Sequence, residues 1–240
     1  MATLKYTDVL YRQGEVRWYK RPTADKTYVL ALDPAAGTGG DNAAIQVIEL
    51  PTMTQVAEWC HNKTPVEGQI RVMREILKEI DQYGAKEIYW TVENNSIGEA
   101  ALVVIRDTGE ENFPGNFLHD PIKVQGKRGR KGFHTSSKSK LDGCITLKRF
   151  VEQDKIKLFS DACIRELKTF VARGNSFSAQ PGETDDLVMS LIICCRMITY
   201  IASFEDDIFE VVNQNIGGDN NYDDDKPIDE YDEPMPIGLL

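Results

Sequence analysis

Acidic side chains stand at the ends of apolar runs in three places along the sequence. Asp33 ends "YVLALD", Glu93 ends "EIYWTVE", and the adjacent Asp185 and Asp186 open the apolar stretch "DDLVMSL". A carboxylate at such a position is costly unless it is paired, hydrogen-bonded or bound to a metal. Oxygen ligands of this kind select Mg²⁺ or Mn²⁺, and two such ions can activate water for attack on a phosphodiester. The three positions therefore predict a metal site at one edge of a sheet.

The stretch after Asp33, "PAAGTGGDNAA", is rich in glycine and contains no lysine. A Walker-type phosphate loop needs a lysine followed by Ser or Thr after its glycines, so that class of site is not supported. Two alternatives stay open from the local pattern. One is an actin-like or sugar-kinase nucleotide site, and the other is a plain glycine-rich β-turn.

The charge of the chain is unevenly distributed. The net charge is −10, but residues 205–233 hold 12 acids and one base, so the rest of the chain is nearly neutral. Residues 123–140 carry seven bases and no acid, and glycines interrupt them. A local basic stretch can bind a polyanion despite an acidic total. We expect DNA contacts from Lys127, Arg128, Arg130, Lys131, Lys138 and Lys140.

The elements that must position these residues follow from hydrophobic periodicity. Three strands in succession are predicted before the first helix, and further strands then alternate with helices. The predicted strands cover 27–33, 42–50, 54–62, 86–93 and 155–159, with an edge strand at 175–180. The predicted helices cover 65–84, a segment capped by Ser96, 139–153, 161–174 and the buried 184–203.

This order predicts the α/β class, with a mixed central sheet made of an antiparallel meander plus parallel strands and flanked by helices. Residues 1–27 are interpreted as an entry segment, 28–204 as the main domain, and 205–240 as an acidic, disordered tail. No apolar run approaches the ~20 residues of a membrane span, so no membrane association is expected.

The motifs "ALDPAAG", "WTVENN" and "ETDDLVMSL", in this order of elements, resemble the RNase H/resolvase-like nuclease domain of tailed-bacteriophage terminase large subunits. The resemblance is nearest to the T-even type, covers roughly residues 27–203, and extends to "SKSKLDGCITLKRFVEQDKIKLF". It implies that Asp33, Glu93 and Asp185 or Asp186 are metal ligands. It also implies that Asp41 binds or orients a second ion, and that the loop glycines give the metals or DNA room.

The resemblance implies a metal-dependent endonuclease that cuts double-stranded DNA concatemers with low sequence specificity, using two Mg²⁺ or Mn²⁺ ions. Its expected partners are DNA, a packaging ATPase domain, the portal and the small terminase subunit, in the host cytoplasm at the procapsid portal. The chain has no Walker motif, so it is not expected to hydrolyse ATP. The alternatives are another RNase H-like nuclease, such as a Holliday-junction resolvase, and a non-catalytic nucleotide- or DNA-binding module.

Overall fold

The computed structural model describes residues 7–121, 131–173 and 176–213. The strands are β1 Tyr11–Gln13, β2 Val16–Trp18, β3 Thr27–Asp33, β4 Ala43–Leu50, β5 Thr54–His61, β6 Glu87–Val92, β7 Asn116–Phe117, β8 Phe170–Arg173 and β9 Ser176–Ala179. The helices are α1 Val66–Gln82, α2 Ser96–Thr108, α3 Ser137–Glu152, α4 Asp161–Thr169, α5 Asp186–Ile201 and α6 Asp206–Asn213.

The main sheet has the order β1-β2-β5-β4-β3-β6-β7. Strands β3, β4 and β5 form an antiparallel meander, whereas β6 runs parallel to β3 and β7 runs parallel to β6. The predicted mixed sheet flanked by helices is therefore confirmed. Strands β8 and β9 form a separate two-stranded antiparallel sheet.

Alternation along the strands divides the core between the two faces of the sheet. On β3, Leu30 and Leu32 belong to the cluster that packs against α1 and α2, whereas Val29 and Ala31 belong to the cluster that contains α5. Because side chains on a strand alternate between faces, Asp33 lies on the α5 face. On β6, Tyr89 contributes to that same cluster, so Glu93 shares the face.

Helix α5 is apolar on nearly every side because it is covered by the sheet and by α3 and α4. Among the described residues, no single helix has the length and hydropathy of a membrane span. Helices α5 and α6 meet that test only as a pair, and they are bent by 118° where they join.

The strand predicted at 155–159 is wrong, because the segment makes only an isolated bridge between Thr54 and Lys157. Its backbone groups find partners elsewhere. The N–H groups of Phe159 and Ser160 donate to the side-chain oxygen of buried Gln55, at 2.7 and 2.8 Å. The helix predicted at 161–174 ends at Thr169, where the chain turns into β8 to pair with β9. The predicted edge strand corresponds to β9.

The two predicted terminal segments are more structured than expected. Strands β1 and β2 extend the main sheet, so the entry segment is part of the domain from at least residue 11. The prediction of a disordered tail from 205 is wrong at its start, because α6 buries Ile208 and Val212 against the core. Residues 214–240 lie outside the described residues.

Candidate active site

Asp33 and Glu93 lie side by side at the ends of two parallel strands. Asp33 is the last residue of β3 and Glu93 directly follows β6, whose Val92 pairs with Leu32. Carboxyl ends of neighbouring parallel strands meet at the same edge of a sheet. Both acids also point to the α5 face by strand alternation, and Glu93 is only 5% exposed.

The third pair of acids reaches this edge from α5. Asp186 is the first residue of the helix and Asp185 occupies its N-cap position. The helix is fixed over the sheet by Ser190, whose hydroxyl donates to the Ala31 carbonyl at 2.9 Å. Asp185 accepts a hydrogen bond from the Ala179 backbone N–H at 3.2 Å.

The structure brings all the acids singled out from sequence to one cavity of about 620 Å³. Its acidic lining residues are Asp33, Asp41, Glu93, Asp185 and Asp186. Within the described ranges, no three His, Cys, Asp or Glu side chains already form a closed metal-binding cluster. The cavity therefore gathers hard oxygen donors around an open space, which fits the donor set that Mg²⁺ and Mn²⁺ take.

Burial and neighbouring charges raise the pKa values of Asp33 and Asp186. Burial raises the pKa of Asp33 well above its ordinary value, and the neighbouring charges of Glu93, Asp186 and Asp185 raise it further. Burial also raises the pKa of Asp186, whereas hydrogen bonds from Asn42 lower it. Crowded carboxylates cannot all ionise without compensation, so the site favours a bound cation.

Two asparagines that sequence reasoning missed hold carboxylates of this cavity. Asn95 donates its side-chain N–H to Glu93, and Asn42 donates to Asp186 with an Nδ2–Oδ2 distance of 2.7 Å. Asn95 is also the N-cap of α2, the role that the sequence assigned to Ser96. Asparagine is among the strongest N-cap residues, so the run "ENNS" did contain a signal for this residue.

The glycine-rich loop is held from the β5–α1 side. Buried Gln69 donates to the carbonyl of Ala35 at 2.7 Å and to that of Thr64 at 2.8 Å. Gly37 has φ +72°, and a Cβ there would stand 2.3 Å from the Thr64 carbonyl oxygen. Gly37 therefore permits a close approach to this turn, and the room that the resemblance assigns to the loop glycines for metals or DNA stays a prediction.

A further buried acid supports the start of α5. Glu166 on α4 accepts hydrogen bonds from the Thr184 hydroxyl at 2.8 Å and from the Val188 N–H at 3.1 Å. Burial is the main cause that raises its pKa to about 7. Nothing in the sequence distinguished Glu166 from an ordinary exposed helical glutamate, because its partners come from distant parts of the chain.

The predicted DNA-contacting residues are described only in part. Lys127, Arg128 and Arg130 lie outside the described residues. Exposed Lys131 pairs with Glu110, and its carbonyl accepts a hydrogen bond from Asn94, the neighbour of Glu93. Lys138 is exposed on α3. The Nζ of Lys140 lies 5.6 Å from the centroid of the Phe170 ring.

Arg196 on α5 binds the residues that flank the segment 122–130. It donates to Asp120 at 2.8 Å and to the His134 carbonyl at 3.2 Å. The backbone N–H of His134 in turn donates to Asp120. Arg196 therefore anchors the chain on both sides of residues 122–130, and Phe133 on the second side forms a β-bridge with Glu93.

A mixed sheet with this strand order, helices on both faces and acids at the ends of its central strands defines an RNase H-like nuclease fold. A profile of the "Terminase RNaseH-like domain" family matches residues 30–192. The chain belongs to this family and is accordingly a terminase nuclease domain of the DNA-packaging machinery.

Solved structures share the fold. The large terminase nuclease of thermophilic phage G20c with bound magnesium has 16% identity and a TM-score of 0.61, over 80% of this chain and 92% of that one. The nuclease domain of the Thermus phage P74-26 large terminase has 19% identity and a TM-score of 0.57, covering 80% and 87%. The human cytomegalovirus terminase nuclease domain has 14% identity and a TM-score of 0.52, covering 72% and 83%.

The phage G20c nuclease was also solved with cobalt and with zinc. The phage G20c nuclease thus binds several divalent metals. The predicted nearness to the T-even type stays a prediction, because the similar structures show the fold of terminase nuclease domains and do not distinguish the T-even type.

Proposed function

We propose that the chain is an endonuclease that uses two Mg²⁺ or Mn²⁺ ions to cut double-stranded DNA with little sequence preference. The observation that carries the proposal is the convergence of Asp33, Glu93, Asp185 and Asp186 on one cavity. Glu93 is buried and the other three carboxylates are half-buried, and such mutually repelling groups fit a divalent cation better than a neutral ligand.

The residues have distinct roles in this proposal. Asp33 and Glu93 hold the ions from the sheet, Asp185 and Asp186 close the site from α5, and Asp41 orients a second ion at the rim. Bound ions would supply an activated water and stabilise the leaving oxygen of the phosphodiester. The site residues orient this reaction and keep the cavity negatively charged before an ion binds.

DNA is held by its phosphates. Lys131, Lys138 and Lys140, together with Lys127, Arg128 and Arg130 in the adjoining segment, supply the cationic surface. Contacts of this kind position the duplex without reading bases, which accounts for low specificity. By resemblance, the enzyme works in the host cytoplasm at the procapsid portal, with a packaging ATPase domain, the portal and the small terminase subunit as partners.

Cleavage of supercoiled plasmid in Mg²⁺ or Mn²⁺ tests the proposal. Asp33→Asn and Glu93→Gln are each expected to lower the metal-dependent rate by ~10²-fold or more, since each removes a charge that holds the ions. Glu87→Gln is the matched control, because Glu87 lies at the opposite end of β6. Undiminished cleavage by both site variants would contradict the assignment. Selective cutting of four-way junctions would favour the resolvase alternative.

A further inference from the structure

We propose that Asn42 and Asn95 are positioning residues of the metal site, each of which fixes one ligand carboxylate through a neutral amide donor. This inference rests on the proposed function, because it takes Glu93 and Asp186 as metal ligands.

Asn95 uses both ends of its amide. Its oxygen accepts hydrogen bonds from the N–H groups of Ile97 at 3.0 Å and Gly98 at 2.8 Å, which caps α2. Its nitrogen donates to Oε2 of Glu93. A carboxamide is suited to this position because it offers an acceptor for the helix and a donor for the carboxylate. Asn95 therefore ties the orientation of Glu93 to the start of α2.

Asn42 orients the carboxylate of Asp186 in the same way. Its side-chain nitrogen and its backbone N–H donate to the same oxygen, Oδ2 of Asp186, at 2.7 and 3.3 Å. Over the described ranges, Oδ1 of Asp186 accepts no hydrogen bond, so it is available to a cation. Donors that occupy one oxygen of a ligand and orient the other are the usual outer partners of metal sites.

The charge of the cavity explains why amides serve here. Both asparagines line the cavity, and none of its lining residues in the described part of the chain is a lysine or an arginine. A cationic donor would neutralise the carboxylates and compete with the metal. An amide orients a carboxylate and leaves its charge in place, so the site keeps its attraction for a divalent ion.

The test measures Mn²⁺ binding by calorimetry without DNA. Asn95→Ser keeps a capping hydroxyl for α2 but is too short to reach Glu93. It is expected to bind Mn²⁺ 10–100-fold more weakly, on the order seen when such outer partners are lost. Asn42→Ala is expected to have a smaller effect, because its backbone N–H still donates to Asp186. In plasmid cleavage, the KM for DNA should stay near that of wild type and the loss should shrink at high Mn²⁺.

Asn116→Ser is the matched control. Asn116 also donates its amide to a glutamate, Glu87, at 3.1 Å, but the pair is exposed and far from the acids. This variant should bind Mn²⁺ like wild type. If Asn95→Ser and Asn42→Ala both bind as tightly as wild type, the inference is wrong while the metal site stands. If wild type binds no divalent ion, the proposed function itself is contradicted.

Discussion

The backbone N–H of Glu93 donates to the carbonyl oxygen of Leu32 at 2.8 Å, and this bond sets Glu93 directly beside Asp33. The parallel pairing of β3 and β6 thus continues one residue past the last paired strand residues, Leu32 and Val92. Glu93 is buried and Asp33 is half-buried, and two carboxylates placed side by side in this way are stabilised by a bound cation or a shared proton. The sheet register itself creates the candidate metal site.

Asp186 is expected to matter more than Asp185. Both line the cavity, but the charge of Asp186 raises the pKa of Asp33 more than that of Asp185 does. Asp185 also accepts a bond from β9. We predict that Asp186→Asn lowers metal-dependent plasmid cleavage at least tenfold more than Asp185→Asn. Equal losses would contradict the prediction, and the reverse order would show that Asp185 is the main ligand on α5.

Replacing Gly98 should disturb both stability and cleavage. A Cβ at this position would stand 1.8 Å from the carbonyl oxygen of Glu93, so α2 or Glu93 must move. Gly→Ala inside an unhindered helix stabilises by up to ~1 kcal/mol. Here we predict that Gly98→Ala lowers the free energy of unfolding by ~1–3 kcal/mol and slows cleavage. Urea denaturation measures the first effect, and an unchanged or raised stability would contradict the packing described.

The N-terminal segment should be necessary for folding. Glu58 is fully buried on β5, and its Oε1 accepts hydrogen bonds from Arg17 and Tyr19, both at 2.8 Å. Removing the guanidinium of Arg17 leaves the buried Glu58 carboxylate with only the Tyr19 hydroxyl as a donor. Arg17→Met is expected to lower the free energy of unfolding by about 3 kcal/mol. Arg12→Met, an exposed change on the paired strand β1, should change it little.

If Arg17→Met unfolds at the same urea concentration as Arg12→Met, the segment does not support the sheet as described. A chain that begins at Thr27 should then also fold normally.

Glu166 should give stability a recognisable pH dependence. Its pKa is about 7 in the folded protein and near 4.5 when exposed. Between these values the unfolded chain loses the proton while the folded chain keeps it. The contribution of Glu166 to stability therefore falls as pH rises through this window, by up to ~3 kcal/mol, and stays constant above it.

The comparison with Glu166→Gln isolates this effect, since all other acids titrate in both proteins. From pH 4.5 to 7.5, wild type should lose stability relative to the variant in urea denaturation. A difference that is constant with pH would contradict the raised pKa.

The sequence predicted the meander, the parallel β6, the buried α5 and the acids, because each depends on local patterns. Periodicity marks an apolar strand, and a charge at its end is visible without coordinates. Register then brings Asp33 and Glu93 together without further information.

The features of the fold and the site that the sequence did not predict depend on contacts between residues far apart in the chain. The backbone N–H of Phe159, in a segment predicted as a strand, donates to the side chain of Gln55 instead of to a neighbouring strand. Asn42 donates to Asp186, which lies 144 residues further along the chain. No local pattern encodes such pairs. The buried face of α6 was missed because the helix begins an acidic segment, residues 205–233, although Ile208 and Val212 stand four residues apart on one side of the helix.

The metal site is tested most directly by a crystal of the protein soaked in Mn²⁺ and measured at a wavelength where manganese scatters anomalously. We expect anomalous peaks inside the cavity, bonded to carboxylate oxygens of Asp33 and Glu93, and their loss in Asp33→Asn crystals. Manganese bound only elsewhere, in a protein that still cuts DNA with Mn²⁺, would contradict the proposed metal site.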